Sequence, residues 1–259
     1  MERNTYIPAE RQKRMVEFIE SNTSAQIHDL STVFGVSEAT VRRDLDDLDR
    51  QGAIRRTHGG AIKLDRSTSY EQMYNEKLSF CTEEKRRIAE AAANMVHDGD
   101  TLFINSGTTT YFTAVELKKH KNLNVVTNSI SVAVELGDVP TFRIILLGGE
   151  INAQYSFTYG EDAKEQLSRF KAGWAILSID GVCPGTGLTT YHAEECAIDR
   201  IMQERAERTL IVADSTKLGY ESFSRISGLD GVACWITDAQ ADRALTAQIA
   251  AEGVDVRFA

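Results

Sequence analysis

The sequence predicts two folds in one chain of 259 residues: an N-terminal all-α winged helix-turn-helix and a C-terminal α/β domain with a largely parallel sheet. Two observations lead to this prediction. Residues 1–63 show apolar side chains at helical spacing and then a Gly-Gly turn, whereas from Thr101 onward short apolar runs alternate with amphipathic helices. We predict domains at 1–63 and 83–259, joined by a connector at 64–82 that is polar and carries interspersed aromatic residues.

Apolar periodicity predicts three helices in the N-terminal domain. The inward residues of the first two are Met15, Phe18 and Ile19, then Leu30, Val33 and Phe34. Gly35 makes the turn into a third, longer helix, which Ser37 caps because its hydroxyl accepts a bond from a first-turn N–H group. A buried stripe begins at Val41, and Gly52 ends the helix.

The third helix and the segment after it carry the side chains expected at a DNA interface. Thr40, Arg42 and Arg43 fall largely off the buried stripe, near the helix end that enters the major groove in helix-turn-helix proteins. A basic hairpin turning at Gly59-Gly60 follows and suits a wing that contacts phosphates. The predicted DNA-binding residues are Ser37, Thr40, Arg42, Arg43, Arg55, Arg56 and His58.

The net charge of −9 is unusual for a DNA-binding chain, but it is distributed unevenly. Residues 1–63 hold ten basic and ten acidic residues, so the acidic excess lies outside the predicted DNA-binding domain. Local geometry rather than bulk charge must therefore provide DNA affinity.

The C-terminal part predicts seven strands and the helices between them. The strand candidates are Thr101–Asn105, Asn124–Thr127, Phe142–Leu147, Trp174–Ile179, Thr209–Ala213, Val232–Thr237 and Asp255–Phe258. The helix candidates after residue 100 are Thr109–Lys119, Ser129–Leu136, Asp162–Arg169, Glu194–Arg205 and Ala241–Glu252.

Polar loops follow these strands, and ligands of such sheets bind just beyond the carboxyl ends of strands. In the loop from Asn105 to Thr110, Gly107 lets backbone approach a ligand, while hydroxyls and a helix N-terminus offer donors to an anion such as phosphate. Plain helix capping is the alternative explanation. The predicted effector-binding residues are Asn105, Ser106, Gly107, Thr108, Thr109, Thr110, Thr127, Asn128, Gly148, Gly149, Asp180, Gly181, Thr189, Glu194 and Lys217.

Within this set, we expect the positively and negatively charged residues to bind different parts of the ligand. Lys217 could neutralise a phosphate, and Asp180 and Glu194 could accept hydrogen bonds from sugar hydroxyls. The four cysteines have neither metal-ligand nor redox spacing, so we expect free buried thiols and neither a metal nor a cofactor. The chain shows no apolar signal core and no run long enough to span a bilayer, which predicts a cytoplasmic protein.

Both halves carry motifs that resemble the DeoR family of bacterial transcriptional regulators. In the N-terminal half these are Ser37-Glu38-Ala39-Thr40-Val41-Arg42-Arg43-Asp44-Leu45, Leu48, Gly52 and His58-Gly59-Gly60-Ala61. In the C-terminal half they are Ser106-Gly107-Thr108-Thr109, Val126-Thr127-Asn128, Leu147-Gly148-Gly149, Asp180-Gly181, Gly187-Leu188-Thr189-Thr190 and Ala213-Asp214-Ser215-Thr216-Lys217. The sequence departs from the family pattern at Asn105, where many members carry aspartate.

The resemblance implies a cytoplasmic regulator, usually a repressor of a sugar or polyol catabolic operon. Its partners would be double-stranded operator DNA and a phosphorylated sugar, the latter bound by a domain similar to ribose-5-phosphate isomerase. DNA-binding helices act in symmetric pairs, so we expect a homo-oligomer, either a dimer or a tetramer.

Two other functions remain open at this point. The first is a sugar-phosphate isomerase in which Asp180 or Glu194 is the base and Lys217 its electrostatic partner. An isomerase has no need of the N-terminal module, which argues against it. The second is an oligomeric scaffold that binds neither DNA nor sugar, and the polar loops at so many strand ends argue against that.

Overall fold

The computed structural model describes residues 8–22, 24–50, 53–57, 59–62 and 80–259. The chain divides into two compact units, Met1–Thr68 and Ser69–Ala259. Most of the predicted connector, residues 64–79, lies outside the described residues, so the boundaries at 63 and 83 stay predictions.

The N-terminal unit is a winged helix-turn-helix, as predicted. Its elements are α1 (Pro8–Asn22), β1 (Ser24–Gln26), α2 (Ile27–Phe34), α3 (Glu38–Arg50), β2 (Arg55–Thr57) and β3 (Gly60–Ile62). The description as all-α needs one addition, because β1 pairs with β3 and makes the wing a three-stranded antiparallel sheet. A three-residue strand is too short to show an alternating pattern, which is why the sequence did not reveal β1.

The turn between α2 and α3 forms as the sequence predicts. Gly35 adopts the left-handed conformation, with φ of 64°, and its N–H donates to the Ser31 carbonyl. Ser37 then caps α3 by accepting a 3.2 Å hydrogen bond from the Thr40 N–H. Val33 was predicted to face inward but is 54% exposed, because the buried face of α2 is formed by other positions. That face consists of Ile27, Leu30 and Phe34.

A buried ion pair joins α1 to α3 beside the apolar core of this unit. Asp44 is 3% exposed, and its carboxylate accepts hydrogen bonds from Arg11 at 2.7 and 3.2 Å and from Gln12 at 3.2 Å. The hydrogen bond that Arg11 donates to Asp44 raises the pKa of Arg11, so the guanidinium stays charged. Removing one partner of such a pair leaves the other charge without compensation.

We therefore expect Asp44→Ala to destabilise the N-terminal unit by about 3 kcal/mol, whereas Glu17→Ala on the exposed side of α1 has little effect. Both tryptophans, Trp174 and Trp235, belong to the other unit. Thermal unfolding of the full chain should therefore show an earlier loss of helical circular dichroism in Asp44→Ala and an unchanged tryptophan fluorescence transition. Coincident early transitions by both probes, or none, would contradict this assignment.

The C-terminal unit has twelve strands and six α-helices among the described residues. The strands are β4 (Thr101–Ile104), β5 (Asn124–Thr127), β6 (Arg143–Leu146), β7 (Glu150–Asn152), β8 (Phe157–Tyr159), β9 (Ala172–Leu177), β10 (Gly181–Cys183), β11 (Gly187–Thr190), β12 (Ala206–Val212), β13 (Ser224–Ser227), β14 (Cys234–Thr237) and β15 (Asp255–Phe258). The helices are α4 (Thr82–Ala93), α5 (Thr108–Leu117), α6 (Ile130–Leu136), α7 (Glu161–Ser168), α8 (Ala193–Arg205) and α9 (Arg243–Ala251).

Seven strands form the predicted parallel sheet, in the order β15-β14-β12-β9-β4-β5-β6. Alternate strand residues point to two apolar cores, one with Phe103 packed under α7, α8 and α9 and one with Ile104 packed under α4, α5 and α6. From β4, the strands β5 and β6 are added toward one edge of the sheet, and the later strands β9, β12, β14 and β15 are added toward the opposite edge. The strand order therefore reverses between β4 and β9, the point where ligands of such sheets bind.

Two small antiparallel groups, β7-β8 and β10-β11-β13, lie outside the main sheet. The motif Gly187-Leu188-Thr189-Thr190 forms β11, a strand that is absent from the seven predicted ones. A strand of four residues that begins with glycine shows no clear alternation of polar and apolar side chains, so the sequence pattern does not predict it.

Further predictions concern membranes, metals and thiols. Within the part of the chain that the structure describes, no helix is long and apolar enough to cross a membrane. The same residues contain no group of three or more His, Cys, Asp or Glu side chains arranged to hold a metal ion. All four cysteines are free, and Cys196 and Cys234 are buried as expected, whereas Cys81 and Cys183 are only half-buried.

Candidate functional site

The exposed N-terminal end of α3 presents hydroxyl and guanidinium groups side by side. The hydroxyls of Ser37 and Thr40 lie 2.9 Å apart, and Ser37 is exposed while Thr40 is half-buried. Arg42 is 58% exposed and makes a 3.3 Å ion pair with Glu38 one turn earlier. Arg43 is exposed and makes no hydrogen bond or ion pair with the described residues. This end of α3 can therefore offer donors to bases or phosphates without disturbing the core.

The wing places its two arginines differently. Arg56 is held against α3, because its N–H donates to Asp49 at 2.9 Å and its guanidinium pairs with Asp46 at 3.3 Å. The geometry thus gives Arg56 a structural task, which is to fix the wing on α3, and its contact with DNA stays a prediction. For Arg55 only the backbone pairing with Ile62 is described. His58 lies outside the described residues.

The N-terminus of α5 lies at the carboxyl end of β4, where the strand order reverses. Gly107 is the residue before the helix, and no side chain caps it. The hydroxyl of Thr110 instead donates to the carbonyls of Asn105 and Gly107, at 3.0 Å in both cases. The Thr110 hydroxyl therefore does not cap the helix, and the first-turn N–H groups of α5 have no cap from the residue before it and can donate to an anion.

Three more residues of this loop differ in accessibility. Ser106 is half-buried and donates to the Tyr155 carbonyl at 3.3 Å, and Thr108 is also half-buried. Thr109 is 3% exposed and lies inside the fold. A Cβ atom at Gly107 would lie 2.5 Å from the Ser178 Cβ, so only glycine allows this close approach of the loops after β4 and β9.

Asn105 is fully buried and directed into the fold. Its amide donates to the Ser178 carbonyl at 2.9 Å and to Asp199 at 3.0 Å, and its oxygen accepts from the Ser178 N–H at 2.9 Å. These three bonds join the end of β4 to the end of β9 and to α8. In this structure the Asn105 amide thus holds the loops rather than presenting free donors to a ligand.

The end of β5 provides a buried acceptor. The Thr127 hydroxyl donates to the Ile104 carbonyl at 2.6 Å and accepts from the Ser129 N–H at 3.0 Å. The Asn128 amide nitrogen donates to the Thr158 carbonyl at 3.4 Å, but its oxygen is buried and has no hydrogen-bond partner among the described residues. An unpaired buried acceptor is costly, and a donor such as a water or a sugar hydroxyl would satisfy it.

The glycines after β6 support the β7-β8 hairpin. The Gly148 N–H donates to the Gln166 side chain at 3.0 Å. Gly149 has φ of 131° and lies against the Tyr159 carbonyl, where a Cβ atom has no room. Packing therefore explains the glycine at position 149 but does not require one at position 148, and the contact of both with a ligand stays a prediction.

Asp180, after β9, organises the small sheet beside it. Its carboxylate accepts from the Thr190 hydroxyl at 3.2 Å and from the Tyr191 N–H at 2.9 Å. Gly181 packs against the Tyr220 carbonyl. The Thr189 hydroxyl is buried and donates to the Gly181 carbonyl at 3.2 Å. These residues are brought together by pairing between β10 and β11.

The two remaining charged residues lie elsewhere on the unit. Glu194 is exposed in the first turn of α8, and the charge of Glu150, with a smaller effect from Glu194, raises the pKa of Tyr159. Lys217 ends a short 3-10 turn, Ser215–Lys217, beyond the carboxyl end of β12. The Lys217 ammonium makes no hydrogen bond or ion pair with the described residues, which leaves it available to an anionic ligand.

An aromatic cluster beside this loop was not predicted from the sequence. The His192 ring lies 4.3 Å from the ring of Tyr155 and 5.2 Å from that of Tyr191. The Tyr155 carbonyl also accepts a hydrogen bond from the Ser106 hydroxyl. Tyr155 comes from a different loop than the adjacent Tyr191 and His192, so no local pattern could have associated it with them.

A groove of about 280 Å³ opens at the opposite edge of the sheet, at the amino ends of β4, β5 and β9. Thr101, Asn124 and Lys171 are among the residues that line it. None of the predicted effector-binding residues lines this groove. The loops at the carboxyl ends of the strands therefore remain the candidate anion site, because they carry hydrogen-bond donors.

Comparisons with known proteins cover nearly the whole chain. Residues 11–67 match the family model described as the DeoR-like helix-turn-helix domain, and residues 81–239 match the DeoR C terminal sensor domain. The HTH-type transcriptional regulator GlpR of Haloferax volcanii is 33% identical over 250 residues, which cover 96% of this chain and 97% of that protein. The glycerol-3-phosphate regulon repressor of Escherichia coli strain K12 is 33% identical over 230 residues, covering 89% and 90%.

Among solved structures, a D-ribose-5-phosphate isomerase in complex with phospho-erythronic acid aligns with a TM-score of 0.41 and 17% identity. The alignment covers 53% of this chain and 54% of that one. This likeness is too low to support a conclusion about activity or ligand.

Proposed function

Because this chain belongs to the DeoR family of DNA-binding transcriptional regulators, we propose that it represses a carbohydrate catabolic or uptake operon under the control of a phosphorylated sugar. It is a regulator and not an enzyme, and its named relatives do not favour the isomerase alternative. The protein acts on double-stranded operator DNA in the cytoplasm as a homo-oligomer, a dimer or a tetramer, so that two α3 helices read a symmetric site.

The observation that carries the effector proposal is the uncapped N-terminus of α5 at the point where the strand order reverses. Its first-turn N–H groups bind the phosphate, and Ser106 and Thr108 contribute hydroxyl donors. Lys217, two strands away in the sheet, neutralises the phosphate charge. Neighbouring strands lie about 4.8 Å apart, so the end of β12 is within reach of a phosphate bound at the end of β4.

The sugar part of the effector lies toward acceptors at neighbouring strand ends. The unpaired oxygen of Asn128 accepts a hydroxyl hydrogen bond once the β7-β8 hairpin admits the ligand, and Asp180 and Glu194 offer further acceptors. A ligand can change DNA affinity only through its different affinity for the DNA-bound and free forms.

A fluorescence anisotropy titration tests this function. The probe is the promoter region beside the gene of this protein, and glycerol 3-phosphate and a series of pentose and hexose phosphates are added in turn. We expect salt-sensitive but specific binding that one phosphate ester changes at least fivefold, within the usual range of coupling, while its unphosphorylated counterpart has no effect. Absence of specific binding to that DNA would contradict the regulator assignment, and binding that no phosphate ester changes would contradict the effector assignment.

A further inference from the structure

Asp199 is a buried carboxyl group that the DNA-binding and ligand-binding roles described above do not use. It lies on α8 and is 0% exposed. One of its oxygens accepts from the Asn105 amide at 3.0 Å, across 94 positions of sequence, and the other has no hydrogen-bond partner among the described residues. A buried carboxyl with a single neutral donor is poorly compensated as an anion.

The bond from Asn105 connects this carboxyl directly to the candidate anion site. Asn105 also clamps both backbone groups of Ser178, and it immediately precedes the loop that starts α5. A change in the strength of the Asn105–Asp199 bond therefore alters how the loops after β4 and β9 are held. Asp199 makes its hydrogen bond with Asn105 and with none of the groups proposed to contact the phosphate, so it acts through its neighbour and through its charge.

The surroundings of Asp199 favour its neutral form. Burial raises the pKa of Asp199 to about 8, the hydrogen bond from Asn105 opposes this shift, and the charge of Asp180 adds to it. Cys196, on the same helix, has a pKa that burial raises, so it remains an uncharged thiol. The nearest cation on α8, Arg200, donates to the carbonyls of Arg225 and Ile226 on β13 and does not compensate Asp199.

We propose that Asp199 is a positioning residue whose proton controls the affinity of the α5 site for dianionic phosphate esters. Protonated Asp199 still accepts the Asn105 hydrogen bond on its carbonyl oxygen and adds no negative charge behind the site. Ionised Asp199 places a second negative charge beside Asp180 and repels the bound dianion. This inference rests on the phosphate site of the proposed function and adds a regulatory group to it.

The direction in which anion affinity changes with pH follows from the titration of Asp199. Because the pKa of Asp199 is raised, it carries its proton below about pH 8 and loses it above. Anion affinity is therefore high at pH 7 and falls between pH 7 and pH 9. By reciprocity, binding of a dianion strengthens the hold on the proton, so binding at pH 8 takes up protons from the buffer.

Sulfate binding to the full-length protein tests this proposal, because sulfate is a tetrahedral dianion that does not titrate in this range. Calorimetry at pH 7, 8 and 9 should show affinity falling about tenfold in the wild type, the change expected when a like charge appears near a partly buried site. Asp199→Asn, which keeps the shape without the titration, should give a flat profile near the pH 7 value. Asp162→Asn, at an exposed carboxylate on α7, should keep the wild-type profile.

A second measurement does not depend on any variant. Calorimetry of the wild type at pH 8 in buffers of different ionisation enthalpy should show net proton uptake with sulfate. Sulfate binding that is independent of pH and takes up no protons would overturn the role of Asp199 and leave the phosphate site standing. Failure of sulfate to bind at any of these pH values would overturn both this inference and the proposed phosphate site.

Discussion

Replacing both Arg42 and Arg43 with alanine should reduce specific operator affinity by a hundredfold or more. Each guanidinium is exposed at the N-terminal end of α3, and a bidentate contact with a base is worth about 1–3 kcal/mol. The ion pair between Arg42 and Glu38 is on the surface and breaks at little energetic cost. The fold should be unchanged, because the buried face of α3 begins one residue earlier, at Val41, and includes neither arginine.

The chain offers a matched control for this experiment. Arg169 forms the same kind of pair, four residues after Glu165, on the surface of the C-terminal unit. Arg169→Ala removes one positive charge and an ion pair equivalent to that of Arg42, so it should leave operator affinity unchanged. Equal losses in the double variant and the control would show that the effect is only electrostatic and would contradict recognition by α3.

The second large effect concerns the effector. Lys217→Ala should weaken binding of the responsive sugar phosphate by about ten- to a hundredfold, because a hydrogen bond to a charged group contributes about 1.5–3 kcal/mol. Operator binding without ligand should stay at the wild-type level, and the variant should respond to the effector only at higher concentrations than the wild type. Thermal stability should not change, since the Lys217 ammonium makes no bond with the described residues.

Lys164 provides the control for Lys217. It lies on α7, and its ammonium pairs at 2.8 Å with Glu161 of the same helix. Lys164→Ala should therefore bind the sugar phosphate as the wild type does. An unchanged effector affinity in Lys217→Ala would remove Lys217 from the site, and a loss of operator binding would show that its role is not confined to the effector.

Local features could be predicted from the sequence because their causes are local. The cap at Ser37 and the buried stripe beginning at Val41 depend on residues within two helical turns, and the structure confirms both. The parallel sheet was also predictable, since its buried strands are continuous apolar runs between amphipathic helices. Strand ends differ from their predicted positions by up to three residues, as for Ala172–Leu177 against the predicted start at Trp174, whereas Asn124–Thr127 and Asp255–Phe258 match at both ends.

Long-range features could not be predicted, because nothing in the local sequence encodes them. The reversal of strand order beside β4 depends on where β9 joins the sheet, and that is a property of the packed fold. The hydrogen bond between Asn105 and Asp199 spans 94 positions, so the sequence does not reveal that this amide is directed into the core. The contacts of Arg56 with Asp46 and Asp49 of α3 are likewise absent from the sequence prediction, and a contact of Arg56 with DNA stays a prediction.

In the proposed function, binding of a sugar phosphate to the C-terminal unit is coupled to binding of DNA at α3. The most direct test measures the dissociation constant of the active sugar phosphate with and without saturating operator DNA. Coupling is reciprocal, so the two constants should differ by the same factor by which that ligand changes operator affinity, in the range of about 5- to 150-fold. Identical constants in the presence and absence of operator would contradict the account.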